Sequence, residues 1–216
     1  MRIGILGSGL MGAKLGTLFA RAGHQITFSY SHSEQKLKRL AQEAGNKARA
    51  GTVREAAAYA DAVLLAVHWS RLRDVLKQAG SLAGKTVINC SLPMNGDDSR
   101  LVVAHTSSGA EKLAKMIPEA HVVGAFGTVP SEVLFGVYAA RRRKHRPSLI
   151  YYGDHKRAKQ RVAGLIRDLG FEPVDAGPLR MARYAEPFTL LVAQLAYEGK
   201  GGPGLAYRFE RFRDSR

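Results

Sequence analysis

Three glycines near the N-terminus, Gly7, Gly9 and Gly12, constrain the fold more than any other feature of this sequence. They follow a short apolar run, Arg2 to Leu6, and open a segment in which apolar residues recur at helical spacing. Between a strand and a helix, the pattern Gly-x-Gly-x-x-Gly is typical of a dinucleotide-binding turn. Gly7 would permit the tight turn, Gly9 would admit a pyrophosphate, and Gly12 would let the helix pack against the strand.

The rest of the chain repeats this alternation of short apolar runs and helical segments. The pattern predicts strands over 2–6, 25–29, 47–50, 62–67, 86–89, 121–126, 148–152 and 171–174, with further helices over 34–44, 53–59, 70–79, 109–117 and 155–169. Strands that alternate with helices form parallel sheets, so we expect an α/β fold of the Rossmann type, doubly wound and mostly parallel. Ser31 is the expected N-cap of helix 34–44, with Glu34 completing a capping box.

After the eighth strand the alternation stops. Pro178 suits the first position of a helix, and Leu179 to Glu198 is long and helical in composition. Pro187 within it predicts a kink or a break, because proline lacks the N–H of the helical hydrogen bond. We therefore expect a nucleotide-binding Rossmann domain over residues 1–176 and a small C-terminal helical domain over residues 177–216.

The residues after the second strand indicate which dinucleotide is bound. An NAD-binding turn needs an acidic residue about 20 positions after the glycines, to bond the ribose 2′-hydroxyl. This chain has Tyr30-Ser31-His32-Ser33 there, with Lys36 one turn into the following helix. Hydroxyls and an imidazole would not repel a 2′-phosphate as a carboxylate would, so the segment favours NADP. Ser31 as a helix cap and His32 as a solvated side chain are the alternative, and the two interpretations are compatible.

Val67 and a group of polar, aromatic and proline residues lie at or just after the ends of the fourth, fifth and sixth strands, at the edge where open α/β sheets bind ligands. They are Val67, His68, Trp69, Ser91, Pro93, Thr128 and Pro130. The alternative for Trp69 is an ordinary packed aromatic ring. Together with Gly7, Ser8, Gly9, Leu10, Met11, Gly12, Tyr30, Ser31, His32, Ser33 and Lys36, these residues form the predicted cofactor-binding set. We predict no catalytic acid or base and no metal ligand.

The charge balance bears on the class of ligand. The chain carries 33 Lys and Arg against 18 Asp and Glu, a net charge of +15. This excess favours anionic ligands such as phosphates, polycarboxylates or nucleic acid, without choosing among them. The single cysteine, Cys90, excludes an internal disulfide and a cysteine-rich zinc site, and we expect an inert buried thiol. No apolar run approaches the ~20 residues of a membrane helix, and a secretory pattern is lacking, so we expect a cytoplasmic protein.

Two charged clusters have ordinary interpretations. The densest, Arg141 to Arg146, is interpreted as a solvated loop. Contact with an anionic partner is the alternative, and nucleic acid is the least favoured because the run has no aromatic residue for base stacking. Arg183 and Glu186 stand three residues apart on a helix and are expected to form a surface ion pair.

Several catalytic patterns are missing from the sequence. There is no nucleophile-elbow sequence, no His-Glu-x-x-His and no Walker-type phosphate loop. A dehydrogenase acting on an alcohol normally needs a general acid or base near the hydride path, and no lysine or histidine here is a convincing candidate. Hydride exchange between two cofactors needs only stacking and orientation, because the cofactors carry the chemistry.

Over nearly its whole length the chain resembles the NADP-dependent reductases of coenzyme F-420, an 8-hydroxy-5-deazaflavin. The same fold family includes the cytoplasmic domain of the transmembrane ferric reductases. The resemblance lies in Gly-Ser-Gly-Leu-Met-Gly at 7–12, Tyr-Ser-His-Ser at 30–33, Trp69 and the stretch Val122 to Pro130. Its most specific mark is Asp175-Ala176-Gly177-Pro178-Leu179, followed by Arg183, Glu186 and Thr189.

The resemblance implies that NADPH lies on the glycine turn and that the deazaflavin lies in a groove covered by the C-terminal segment. Hydride would pass directly between the two rings, with catalysis by proximity and orientation. We expect a homodimer that acts on small-molecule cofactors and binds neither membrane nor nucleic acid. The alternatives are an NADPH-dependent reductase of a flavin, a ferric chelate or an imine, and a non-catalytic regulator that senses NADP(H).

Overall fold

A computed structural model describes residues 1–45 and 47–212. Within them, eight strands form a single sheet: β1 Arg2–Leu6, β2 Gln25–Ser29, β3 Ala48–Ala50, β4 Ala62–Leu65, β5 Thr86–Asn89, β6 His121–Gly124, β7 Ser148–Gly153 and β8 Glu172–Asp175. Their order in the sheet is β3-β2-β1-β4-β5-β6-β7-β8. Neighbouring strands are parallel except for β6 and β7, which run antiparallel.

Eight α-helices are present in the same residues: α1 Leu10–Arg21, α2 Glu34–Ala44, α3 Val53–Ala58, α4 Leu72–Ala79, α5 Gly109–Met116, α6 Leu134–Ala139, α7 Lys156–Asp168 and α8 Ala182–Ala193. Short 3-10 turns, Trp69–Arg71, Ser131–Val133 and Leu179–Met181, precede α4, α6 and α8. A π-helical turn, Gln194–Glu198, follows α8. The predicted α/β Rossmann fold with a mostly parallel sheet and a C-terminal helical segment is confirmed.

The sheet is covered by apolar residues on both faces. In β4, Ala62 and Leu64 belong to one core cluster, whereas Val63 and Leu65 belong to the other. Alternate residues of a strand point to opposite faces, and all four are fully buried. This burial on both faces explains the uninterrupted apolar runs of the sequence, which are typical of parallel strands between helix layers.

Two strands end earlier than their apolar runs predict. β4 stops at Leu65, and the N–H of Val67 donates to the hydroxyl of Ser91, 3.3 Å away. β6 stops at Gly124 because Phe126 has a φ of 66°, a left-handed conformation that a strand does not accommodate. Both ends therefore turn into loops at the same edge of the sheet.

The predicted start of α2 is also corrected. Ser31 is not its N-cap: the side chain of Ser33 accepts the N–H of Lys36 at 3.2 Å, and Ser33 has the extended backbone of a capping residue. The hydroxyl of Ser31 accepts the N–H of Ser33 at 3.2 Å instead. Ser31 thus braces the loop before the helix.

Two helical features differ from the sequence pattern. The pattern did not predict α6, whose six residues are too few to show helical periodicity. Pro187 does not break α8, which runs through it and loses only the hydrogen bond to the carbonyl four residues earlier.

The C-terminal segment is fixed to α5 by two acidic residues. Arg183 donates to Glu111 at 2.6 and 2.9 Å. Glu186, only 2% exposed, accepts the N–H groups of Gly109 and Ala110 at 2.8 and 2.9 Å. The expected surface ion pair between Arg183 and Glu186 is therefore wrong, because each side chain finds its partner on α5.

The chain then returns along the sheet as a C-terminal strap, residues 199–212. The carbonyl of Tyr207 accepts the N–H of Ser148 at 2.8 Å, and the N–H of Phe209 donates to the Ser148 hydroxyl at 2.9 Å. The division of the chain at residue 177 stays a prediction, and residues 213–216 lie outside the described residues. Among the helices of residues 1–45 and 47–212, none combines the length and apolar character that crossing a membrane requires.

The buried carboxyl of Glu186 generates a prediction about stability and pH. Burial raises its pKa to about 7 from an ordinary value of 4.5, although the two N–H donors favour the charged form. Between these values the folded chain holds a proton that the unfolded chain releases. The free energy of unfolding should therefore fall as pH rises from 4.5 to about 7, by at most about 1.4 kcal/mol per pH unit from this group.

Urea unfolding of the unmodified chain and of Glu186→Gln across that range measures the effect. The amide does not titrate, so the variant should show the flatter profile. Parallel profiles in the two proteins would contradict the assignment of the slope to Glu186.

Candidate cofactor-binding site

The carboxyl ends of the parallel strands bring the predicted loops to one edge of the sheet. The glycine turn follows β1, and Tyr30-Ser31-His32-Ser33 follows β2. The loops at His68, Ser91 and Thr128 follow β4, β5 and β6, which are consecutive neighbours of β1 in the sheet. This edge is the place where open α/β sheets bind ligands.

Two glycines of the turn are required by close backbone contacts. A Cβ on Gly7 would overlap the carbonyl of Ala66, and Gly7 has a φ of 113°. A Cβ on Gly12 would overlap the carbonyl oxygen of Gly7. Ser8, which is buried, donates its hydroxyl hydrogen bond to the carbonyl of Ser29 at 2.9 Å and so ties the turn to β2.

The third glycine faces open space. Apart from Gly9 itself and its two chain neighbours, no atom of the described residues lies within 4 Å of the position a Cβ would take on Gly9, which is the N-cap of α1. This cap has no side-chain hydrogen bond, and the first turn of α1 carries no acidic residue. Leu10 is 72% exposed beside it. The helix therefore presents unpaired N–H groups and a positive dipole end to the edge, a geometry that suits a phosphate.

A cavity of about 660 Å³ lies beside the end of β2, within the usual size of a ligand site. Its lining includes Tyr30, Ser31, His32, Thr52 and Arg71. The backbone of Tyr30 has a φ of 56°, which turns the chain out of the strand. Its hydroxyl donates to Asp74 at 2.6 Å, and burial together with this bond raises the pKa of Tyr30 to about 12.

The cations that line this cavity differ from the predicted one, Lys36. Lys38 and Arg71 line it, and Lys38 is held by Glu34 at 2.7 Å. Lys36 is exposed on α2, and its backbone N–H serves the Ser33 cap. Sequence reasoning missed Arg71, which belongs to the 3-10 turn after β4 and reaches the cavity only through the strand order.

The loops after β4 and β5 are tied to each other. The hydroxyl of Ser91 donates to the carbonyl of Val67 at 2.7 Å. The Nε2 atom of His68 lies 3.1 Å from a carboxylate oxygen of Asp98. Trp69 is half-buried against the core, whereas Pro93 is buried under α5. These contacts fix the backbone of both loops at the edge.

The loop after β6 meets the C-terminal strap. Thr128 and Pro130 are buried, and the Thr128 hydroxyl lies 2.7 Å from the hydroxyl of Tyr207. Sequence reasoning missed Tyr207 because 79 positions separate the two residues. Thr128 also lines a cavity of about 10 Å³ with Asn89, Ser91 and others, room for about one water molecule.

The structure also shows the surroundings of Cys90 and of the basic run that begins at Arg141. Burial raises the pKa of the Cys90 thiol to about 12, which fits the expected inert thiol. Arg141 to His145 are exposed, and the Arg141 guanidinium lies 4.2 Å from the centre of the Tyr138 ring. Residues 1–45 and 47–212 contain no cluster of side chains able to hold a metal ion.

Comparisons with known proteins show which proteins the chain is similar to. The family described as NADP oxidoreductase, coenzyme F-420-dependent, matches residues 2–93. Metalloreductase STEAP3 of Rattus norvegicus is 32% identical over 189 residues, 88% of this chain and 36% of that protein. The chain thus spans about a third of the length of that relative.

Solved structures share the fold. A candidate coenzyme F-420-dependent NADP-reductase from Arthrobacter sp. FB24 has a TM-score of 0.85 at 24% identity, covering 98% of this chain and 100% of that one. The hypothetical protein SMa0349 from Sinorhizobium meliloti has a TM-score of 0.74 at 27% identity, with 97% and 96% covered. A reductive aminase from Aspergillus terreus, solved with NADPH, has a TM-score of 0.64 at 20% identity, with 89% and 59% covered.

Together the matches support an NADP-dependent oxidoreductase with the Rossmann fold. The family match covers residues 2–93, from β1 through the loop at Pro93. The match to the metalloreductase covers 88% of the chain. The resemblance to the coenzyme F-420-dependent NADP oxidoreductases that the sequence motifs indicated is therefore confirmed.

Proposed function

We propose that the chain transfers a hydride between NADP(H) and the deazaflavin coenzyme F-420. The observation that carries this proposal is the open position at Gly9, at the N-terminus of α1, together with a cavity lined by Tyr30, Ser31 and His32 at the end of the neighbouring strand β2. A pyrophosphate fits there because a Cβ would otherwise fill the space. The proposal includes a cytoplasmic location.

NADP(H) is assigned to the residues predicted from the sequence. Its pyrophosphate lies on the turn from Gly7 to Gly12, and its 2′-phosphate lies near Ser31, His32 and Ser33. Lys36 adds charge at a distance, whereas Arg71 lines the cavity itself. Val67, His68, Trp69, Ser91, Pro93, Thr128 and Pro130 flank the nicotinamide or the second cofactor.

Three carboxylates and two cations line this cavity. Glu34 pairs with Lys38 at 2.7 Å, and Glu55 accepts the N–H of Thr52 at 2.8 Å. Asp74 accepts the hydroxyl of Tyr30. Because Glu34 holds Lys38, Arg71 is the cation that we assign to the 2′-phosphate.

Removal of the Arg71 guanidinium tests the assignment of the 2′-phosphate. Arg71→Ala should raise the KM for NADPH about tenfold and leave the KM for NADH unchanged, because a hydrogen bond to a charged group contributes roughly 1.5–3 kcal/mol. Arg73→Ala, an exposed arginine two positions along that does not line the cavity, is the matched control. Equal losses with both dinucleotides would contradict the assignment.

The second cofactor is proposed at the ends of β5 and β6, next to α8. NADPH, when bound, supplies the hydride, so the protein has to orient two rings and exclude water. Thr128 offers a hydroxyl at this end, and the buried Pro130 is a rigid apolar residue beside it. The net charge of +15 suits a coenzyme that carries a phosphate and a polyglutamate tail.

The reaction is tested by mixing the protein with NADPH and coenzyme F-420 and following the deazaflavin absorbance. We expect rapid bleaching with the deazaflavin and little or none with a flavin in a parallel sample. Tight NADPH binding without bleaching would preserve the NADP site and reject the deazaflavin.

A second reaction is favoured by one observation, the 32% identity to a metalloreductase over 88% of the chain. In that case electrons from NADPH would reach a ferric chelate through a bound flavin. Ferric reduction that needs added flavin would support this reaction over the deazaflavin one. An imine reductase and a non-catalytic NADP(H) sensor are the remaining alternatives, and the sensor predicts NADPH binding without turnover of any acceptor.

A homodimer is proposed through the outer face of α8 and of the short helical turns that precede and follow it. Tyr184, Leu191 and Leu195 recur at helical spacing there and are 68%, 55% and 56% exposed. Arg180 and Glu198, both exposed, lie at opposite ends of this stripe. Antiparallel pairing of two copies about a two-fold axis would set Tyr184 against Leu195 and Arg180 against Glu198 of the second copy. This charge complementarity favours a second copy of the chain as the occupant.

Leu191→Asp should convert the dimer to a monomer, because the central position would bury a carboxylate without a partner. Sedimentation velocity measures the change directly. Val102→Asp, at a residue with 51% exposure outside α8, is the control and should remain dimeric. A monomeric unmodified chain would contradict the proposed interface.

A further inference from the structure

The strap brings the partly buried phenol of Tyr207 to the loop at Thr128. Tyr207 lies among aromatic rings, with the ring of Phe188 at 5.2 Å and that of Phe209 at 5.4 Å between centroids. Its backbone carbonyl is bonded to Ser148, so both the main chain and the ring of Tyr207 are fixed. The hydroxyl is thereby held beside Thr128 and the N–H of Ile150.

The bond between the two hydroxyls admits either one as the donor, and their acidities favour Tyr207. The N–H of Ile150 donates to the Tyr207 hydroxyl at 3.4 Å, which occupies one of its two lone pairs. A phenol is a stronger acid than an aliphatic alcohol and is therefore the better donor. With Tyr207 as the donor to the oxygen of Thr128 at 2.7 Å, the proton of the Thr128 hydroxyl is left for another acceptor.

The small cavity beside Thr128 limits what that acceptor is. The hydroxyl of Ser91 donates to the carbonyl of Val67, and the hydroxyl of Thr189 donates to the carbonyl of Ala185. Of the hydroxyls that line the cavity, those of Thr128 and Tyr152 remain able to donate into it. The space, about 10 Å³, admits one oxygen atom.

We propose that Tyr207 is a positioning residue that sets the Thr128 hydroxyl as a donor to a carbonyl oxygen of the bound ligands. This rests on the proposed function and adds a residue from outside the nucleotide-binding motifs. The oxygen belongs either to the carboxamide of the nicotinamide or to a ring carbonyl of the hydride acceptor. The two sources share one chemistry and differ in which binding constant Tyr207 controls.

Four variants separate this role from a structural one. Tyr207→Phe removes only the phenolic oxygen, Thr128→Val removes the hydroxyl it orients, and the double variant removes both. Tyr197→Phe is the matched control. It deletes a C-terminal phenol that bonds Glu132 at 3.0 Å and that does not line this cavity. Dissociation constants for NADPH and for adenosine 2′,5′-bisphosphate, which lacks the nicotinamide, are measured with each, together with KM and kcat for the acceptor.

We expect Tyr207→Phe to weaken one ligand about fivefold, the usual effect of one hydrogen bond. If the oxygen is that of the carboxamide, NADPH is weakened and the bisphosphate is not. If it is that of the acceptor, the acceptor KM rises and both nucleotide constants stay unchanged. In either case the double variant should behave like Thr128→Val alone, because Tyr207 acts through Thr128.

Other results overturn the inference. Fully additive effects would mean that Tyr207 acts independently of Thr128. A lower melting temperature with unchanged KM, kcat and binding constants would make it a structural strut only. An effect of Tyr152→Phe in place of Tyr207→Phe would move the role to Tyr152.

Failure of the proposed function gives a different pattern. An unmodified chain that binds NADPH but reduces no acceptor rejects the reaction, and an NADPH constant unchanged in Tyr207→Phe then rejects the inference separately. An unmodified chain that binds neither NADPH nor the bisphosphate rejects both.

Discussion

The close approach of α1 to the end of β1 determines the position of everything else at the candidate site. Neither Gly7 nor Gly12 has room for a Cβ, because the carbonyls of Ala66 and of Gly7 already occupy that space. Since both positions are glycine, the helix begins directly behind the strand, and its unpaired N–H groups face the edge where the parallel strands end. Gly9 differs from the other two glycines in having no neighbour, which separates the glycines that build the turn from the one that leaves space for a ligand.

Local pattern was sufficient for most of the fold. Apolar runs such as Ala62 to Leu65 predict strands that are buried on both faces, and the glycine pattern predicts the first strand, turn and helix. Errors arose where a distant or competing hydrogen bond decided the local structure. The apolar run at β4 continues to Val67, but the strand ends at Leu65 and the Ser91 hydroxyl holds the Val67 N–H, and Ser33 displaced Ser31 as a cap.

The parts of the site that sequence reasoning missed come from residues far apart in the chain. Arg71 reaches the cavity of Tyr30 because β4 and β2 flank β1, an order that no local pattern contains. Glu186 looked like half of a surface pair, yet it is buried on the first N–H groups of α5. Its position explains how a helix outside the nucleotide-binding pattern is fixed against the sheet, so that the strap beyond it can reach Thr128.

A site for a phosphorylated cofactor needs more than an excess of cations, because a free carboxylate beside the phosphate would cancel their attraction. The cavity beside β2 is lined by three carboxylates, Glu34, Glu55 and Asp74, as well as by Lys38 and Arg71, so the position of each cation relative to the phosphate matters more than their number. Asp74 is bonded to Tyr30 and to Gln78 at 3.0 Å, and these donors lower its pKa, so that it stays charged. Because Tyr30 bonds Asp74 and both residues line the cavity, a change at Tyr30 would alter the electrostatics of the cavity as well as its shape.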